Sequence, residues 1–455
     1  MISDVLTVAP WLVLGGASLR VAARYGINWR YVVAAARRDH ELRRSVMQAA
    51  RIRRRWPRLA RHLGLVLVDR TRVPGKPTYV VPRLRVRPDQ YGVIVEARTV
   101  PGVGLQEWQK AARHLADDWR AVRVAVTQPE PGRIRVRAVR RDPLATPVTY
   151  APDPDTLAAP DDLSTVLIGT DEYAEPVSIR LSGVSGIGVY GLPGYGKTSL
   201  INGLVTRLAP SPAVQFVVLD GKSSSPEEGD YAGLAERITL MVGDDLEHAN
   251  EVLGQLVEFR RARARSIRTV LGVTNVWHVG PSPDWPLIVV IVDEAHTYFA
   301  QVKDGGDKTL RQRNALAAQN VMYVEDLIKK GRSVGILTLL ATQKGTGDAI
   351  PTQIRDVCAV SLAFACRTIE AAVAALGDDI RQYPDASPVA LQDPAYIGVA
   401  SMVVEGRSGF TRVRTPYVPE QVAAAVATRH RDLVLSRGSL PPVRELTAFG
   451  VPDRQ

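Results

Sequence analysis

Five strand-like apolar runs, two of them ending in acids, punctuate the second two-thirds of the chain: GIGVY at 186–190, QFVVLD at 215–220, LIVVIVDE at 287–294, GILTLLATQ at 335–343 and AVSLAFA at 359–365. Each is continuously apolar rather than alternating, as strands buried on both faces must be. Segments of helical period separate them, so residues 165–418 predict a parallel sheet flanked by helices, an α/β fold. Upstream the period changes. YGVIVEA, VRVAVTQ and RIRVRAV alternate apolar with polar positions, as half-buried strands do, and LQEWQKAARHLADDW places Leu105, Trp108, Ala112, Leu115 and Trp119 on one helical stripe. A small α+β domain over 63–150 follows from these. The Pro/Asp/Ala-rich stretch 151–164 reads as a linker, 419–455 as a C-terminal helix and tail, and 28–62 as helix.

Charge divides the chain unevenly. The net charge of the 455 residues is +11, and the first 62 carry 13 arginines against Asp4, Asp39 and Glu41. A basic helical N-terminal segment, 1–62, offers a solvated face or a surface for anionic lipid or DNA phosphate, and the residues alone do not choose. Val5–Leu19 is uncharged but spans only 15 positions, short of the roughly 20 a membrane-spanning helix needs. Contact with the inner face of a membrane and a plain buried helix both stay open there. Cys358 and Cys366 stand apart from any Cys/His cluster, so they do not suggest zinc, and free thiols in a reducing, cytoplasmic compartment are expected.

The chemistry begins at Gly191-Leu192-Pro193-Gly194-Tyr195-Gly196-Lys197-Thr198, followed by Ser199. This pattern, G-x-x-x-x-G-K-[ST], lies between an apolar strand and a helix. Its glycines let backbone N–H groups turn onto phosphates, Lys197 reaches the β- and γ-oxygens, and Thr198 offers its hydroxyl to Mg²⁺. ATP with Mg²⁺ is the cofactor pair this predicts. The run PLIVVIVDEAH delivers two acids at a strand's carboxyl end: Asp293 to hold Mg²⁺ and Glu294 to polarise the attacking water. Gln343 ends the next apolar strand, where a neutral donor and acceptor can sense the γ-phosphate.

Together these pieces resemble the FtsK/SpoIIIE family of ring-forming DNA translocases. Ordered matches continue with Asp220-Gly221-Lys222, the arginine-rich FRRARARSIRTVLGVTNVW, the helix ending KKGRSVGI, and IPTQIRDVCAVSLAFACRT. The resemblance implies a RecA-like P-loop motor domain over 165–418, double-stranded DNA as partner, and a homo-oligomeric, hexameric ring. It also implies that Arg332 reaches a neighbouring subunit's γ-phosphate, with Arg355 and Arg367 as weaker matches. Lys344-Gly345 departs from the family's Arg-Pro. The reduced architecture resembles the family's plasmid- and integrative-element transfer proteins. Two other readings remain at this stage: a related ring ATPase that moves protein, as in type VII secretion, and a DNA-binding control protein with a non-hydrolysing nucleotide site.

Overall fold

The computed structural model describes residues 40–69, 77–225, 228–303, 305–343, 350–407 and 409–443. Val5–Leu19, the helix expected over 28–39, and Lys344-Gly345 lie outside the described residues. Two compact units emerge, one of Met1–Pro143 with Glu172–Glu175 and one of Leu144–Asp171 with Pro176–Gln455. No helix among the described residues is long and apolar enough to cross a membrane.

The first unit is a two-layer sandwich. Helix α1 (His40–His62) precedes a short antiparallel pair, β1 (Leu67–Asp69) and β2 (Thr78–Val80). Strands β3 (Leu84–Pro88), β4 (Gly92–Arg98), β5 (Arg123–Glu130) and β6 (Arg133–Val139) form an antiparallel sheet in the order β3-β4-β6-β5, with α2 (Leu105–Trp119) inserted before β5. Alternation along the strands sends Val86, Val95, Ala97, Ile134, Val136 and Ala138 to one buried face. There they meet Ile52 and Trp56 of α1 and Trp108 and Leu115 of α2, and Trp56 stacks on Trp108 with centroids 5.3 Å apart. On α2 Trp108, Leu115 and Trp119 are buried as expected, whereas Ala111 rather than the half-buried Ala112 fills the position between them.

In the second unit ten strands form one sheet in the order β11-β10-β12-β13-β9-β14-β15-β16-β7-β8. Its first six positions hold β11 (Leu240–Val242), β10 (Val214–Asp220), β12 (Leu287–Asp293), β13 (Ile336–Thr342), β9 (Gly186–Tyr190) and β14 (Val360–Ala363), all parallel. The other four, β15 (Val399–Val403), β16 (Phe410–Arg414), β7 (Thr165–Asp171) and β8 (Pro176–Arg180), extend it antiparallel. Every residue of β10, β12 and β13 is buried, because helices cover both faces: α3 (Lys197–Leu208) against one, α4 (Leu246–Leu271) and α6 (Lys308–Lys330) against the other. The four-residue α5 (His296–Phe299) lies between α4 and α6 in the chain. This is the α/β architecture expected from the apolar runs, with the RecA-like P-loop core that the resemblance implied. The segment before β7 and the helix α9 (Glu420–Arg429), after α7 (Thr352–Arg355) and α8 (Ile369–Leu376), belong to this unit as well.

Buried arginines knot the loops at the strand ends. Arg237 donates to the carbonyls of Ala209, Ser211 and Val214 at 2.8–2.9 Å, and burial pushes its guanidinium down to about 10. Arg263 donates to the carbonyls of Pro286 at 2.8 Å and Val334 at 3.0 Å. Such groups satisfy carbonyls that would otherwise lose water without a replacement partner.

Candidate nucleotide site

The carboxyl ends of the parallel strands carry the candidate chemistry, as open α/β sheets favour. Chain leaving β9 turns through Gly191 at φ +142° and Gly196 at φ +110° before entering α3. A Cβ on Gly191 would meet Phe364 Cβ at 2.7 Å, and one on Gly196 would meet Gly398 Cα at 3.0 Å, so both the twist and the close approach require glycine. The loop is braced from below. Leu192 N–H donates to the Ala365 carbonyl at 2.8 Å, Gly398 N–H to the Tyr195 carbonyl at 3.0 Å, and Tyr195 Oη to the Gln392 carbonyl at 2.7 Å. Arg414, itself buried, fixes the bracing segment through the carbonyls of Ala395 and Ile397 at 2.6 and 2.8 Å.

Lys197 curls back over this loop and donates to the carbonyls of Gly191 and Leu192 at 2.7 and 2.8 Å. Only 4% of the residue is exposed. Burial first, then the nearby Lys222 charge, push its ammonium down to about 8, against the pull of Asp293 and Glu294. Ser199 faces away, its hydroxyl bonded to the Pro416 carbonyl at 3.3 Å.

Asp220 and Asp293 sit side by side in register at the ends of β10 and β12. Asp293 is almost wholly buried and uses both oxygens: Oδ2 accepts from Lys222 Nζ at 2.9 Å and Tyr231 Oη at 3.0 Å, Oδ1 from Glu294 N at 2.8 Å. Thr198 Oγ1 donates to Asp230 Oδ2 at 3.2 Å, and Lys222 Nζ lies 3.5 Å from that same oxygen. The two residues assigned to Mg²⁺, Thr198 and Asp293, therefore face one corner but are linked through Asp230 and Lys222. Burial pushes the Asp220 carboxyl up, and its Oδ2 is buried without a partner.

Glu294 adopts φ +51°, a left-handed conformation that costs an ordinary residue about 1–2 kcal/mol. Its Oε2 is buried and unpartnered. Strain and an unsatisfied acid at one residue are what a site built to meet a reactant keeps and a purely structural turn would shed. Gln343 follows Thr342, which pairs in register with Tyr190, so it emerges half-buried beside Gly191 on the strand between the phosphate loop and the acids.

Arg332 stands elsewhere. It precedes β13 in a one-turn 3₁₀ helix, at the amino ends of the strands, a seven-residue strand or about 23 Å from the phosphate loop's end of the sheet. Trp277 Nε1 holds its carbonyl at 3.1 Å, and Trp285 Nε1 and Arg263 hold that of Val334 at 3.0 Å. The Arg332 side chain is exposed and has no partner among the described residues. Arg355 is half-buried on the amino-terminal approach to β14, and Arg367 is exposed beyond its carboxyl end.

Lys222, Asp230, Tyr231 and Asp220 were outside the expected catalytic set. Lys222 had a signal in Asp220-x-Lys222, while Asp230 and Tyr231 come from an irregular segment with no motif.

The site's donor set fits a magnesium nucleotide: a glycine cradle, a buried lysine, a hydroxyl and a cluster of carboxylate oxygens that suits a hard divalent cation. Known proteins resemble the chain in sequence and in fold. Residues 155–279 match the FtsK/SpoIIIE family, so the chain carries an FtsK/SpoIIIE family domain there. It is 26% identical over 303 residues to the DNA translocase FtsK of Shewanella oneidensis, covering 59% of this chain and 31% of that protein. With the DNA translocase FtsK of Vibrio vulnificus it shares 24% over 310 residues, covering 60% and 29%. The chain thus spans about a third of the length of the curated relatives it matches. Among solved structures it is similar to the pCW3 conjugation coupling protein TcpA in its monomer form with ATPγS (TM-score 0.48, 15% identity, 80% of this chain and 94% of that one). It is also similar to the cytoplasmic domain of the Thermomonospora curvata type VII secretion ATPase EccC (TM-score 0.46, 19% identity, 69% and 35%).

Proposed function

We propose that this chain is an ATP-hydrolysing motor that moves double-stranded DNA, working as a homo-hexameric ring in DNA transfer or segregation on the cytoplasmic side of the cell membrane. The observation that carries it is Glu294: a strained, half-buried acid whose Oε2 is buried without a partner, next to Asp293 at the end of β12. The FtsK/SpoIIIE domain and the two DNA translocase relatives support DNA as the cargo.

In this reading the backbone N–H groups of 194–198 cradle the phosphates, and Lys197 moves its ammonium from the loop carbonyls to the β- and γ-oxygens. Thr198 and Asp293 would hold Mg²⁺, which when bound would supply charge to offset that developing on the transferred phosphoryl group. Glu294 orients a water and accepts its proton. Gln343, between the acid and the phosphate loop, senses the γ-phosphate. Arg332 cannot serve its own loop, because it occupies the other end of the sheet. A neighbouring subunit's Arg332 completes the site, which ties turnover to assembly; such a group contributes about 10³–10⁵ in rate where it operates.

Steady-state ATPase with and without linear duplex DNA tests this. Strong stimulation by duplex supports the motor, DNA-indifferent turnover points to a protein-moving ATPase, and no turnover to a control protein.

A further inference from the structure

The small, near-neutral charge sum of residues 63–455 conceals two opposed parts. Between His40 and Asp142 there are 24 arginines and lysines against 9 acids, whereas residues 143–455 hold 29 against 36. The unit with the nucleotide site is thus net acidic, and the chain's excess positive charge lies in the first unit and the residues before it.

Within the first unit the excess is organised. On α1, Ala49, Ile52, Trp56 and Ala60 are buried in the core. At 100° per residue the opposite arc collects seven arginines, from Arg43 and Arg44 through Arg51 and Arg54 to Arg58 and Arg61, with no acid among them. The ridge runs about 27 Å at 1.5 Å per residue, or roughly eight base pairs of duplex. It is engaged only in part, and Arg43 is among the engaged residues. Arg55 pairs with Asp118 at 3.2 Å, Arg44 approaches Glu41 at 3.7 Å, and Arg61 lies over the Tyr79 ring at 5.3 Å. Arg54 and Arg58 are exposed and have no partner among the described residues. Like charges three and four positions apart repel along a helix, so this spacing is unfavourable until a polyanion covers it.

We infer that the α1 arginine ridge grips the phosphate backbone of duplex DNA and is a sequence-independent DNA contact of this chain. The inference rests on the duplex-motor reading above and names where the cargo is held. A lipid surface fits less well. An interfacial helix must bury its apolar face among acyl chains, and the apolar face of α1 is already spent on the protein's own core, leaving Met47 as the one large apolar side chain exposed on the arc.

Anisotropy of a fluorescent duplex, titrated with the full chain and ATPγS over a range of salt, tests it. Arg54→Gln, Arg58→Gln and Arg61→Gln combined are expected to weaken binding at least about tenfold and to flatten the log–log salt slope by about 2.7, at about 0.9 for each phosphate no longer neutralised. A triple variant with the wild-type affinity and slope overturns the ridge and leaves the motor reading standing. Wild-type chain that ignores duplex altogether defeats the motor reading itself. Phosphatidylglycerol vesicles form the second arm: capture that the triple variant loses, with duplex binding unchanged, assigns the ridge to a membrane and overturns the inference. Should the triple variant melt early, Arg58→Gln alone carries the test through an expected slope change of about 0.9.

Discussion

Lys222 Nζ lies 2.9 Å from Asp293 Oδ2, and that ammonium is the cation held by the buried carboxylate at the end of β12. Burial works against a charged lysine here, but Asp293 outweighs it and holds the Lys222 pKa above its ordinary value. Lys222→Met leaves Asp293 with Tyr231 and one backbone N–H. Removing one partner of a fully buried pair costs about 3–5 kcal/mol, and since Lys222 is partly exposed, a loss of about 2 kcal/mol is expected. Urea unfolding of the nucleotide-free protein measures it; an unchanged midpoint would show that the pair carries no stability.

Glu294 joins strain to function. Glu294→Gln keeps the shape of this half-buried side chain, so it should melt close to the wild-type temperature while turnover falls by at least about 10². ATPγS binding should persist. Residual turnover near wild type would move the water-orienting role to another group.

Lys197 sets a pH dependence. Its folded pKa is about 8, whereas an unfolded lysine holds its proton to about 10.4. Between those values the unfolded state binds more protons, so this group's contribution to stability rises with pH across that window. Nucleotide affinity runs the other way, because a neutral amine cannot pair with phosphate. The Kd for ATP should climb about tenfold per pH unit above about 8, and calorimetry in buffers of different ionisation enthalpy should detect proton uptake on binding. A Kd flat from neutral pH into the alkaline range contradicts this. Lys197→Ala should abolish turnover without lowering the melting temperature.

Arg332 should be dispensable for folding, since its exposed side chain makes no hydrogen bond or ion pair among the described residues while Trp277, Trp285 and Arg263 hold its loop. Arg332→Ala subunits mixed with wild type should depress activity by more than their fraction, because each disables a neighbour's site. Activity falling only in proportion to the fraction of variant removes the trans role.

The strands of the motor were legible because parallel, doubly covered strands must be apolar throughout: GIGVY, FVVLD, LIVVIVD and ILTLLAT each became one strand. Their neighbours β15, β16, β7 and β8 mix polar with apolar positions and were not seen to extend the same sheet. The phosphate loop and its acids were readable because each is contiguous in sequence. The link from Thr198 to Asp230 and from Tyr231 to Asp293 was not, since it joins residues 32 and 62 positions apart through a segment without periodicity. Charge shows the same contrast: counting located the basic end of the chain, but only packing revealed which face of α1 is free to use it.

The most direct test of the whole account is displacement of a third strand from a triplex by the purified chain, with ATP against ATPγS and wild type against Glu294→Gln. Displacement that requires both ATP and Glu294 is the predicted result. A chain that hydrolyses ATP equally well with and without duplex, and never dislodges the third strand, contradicts it.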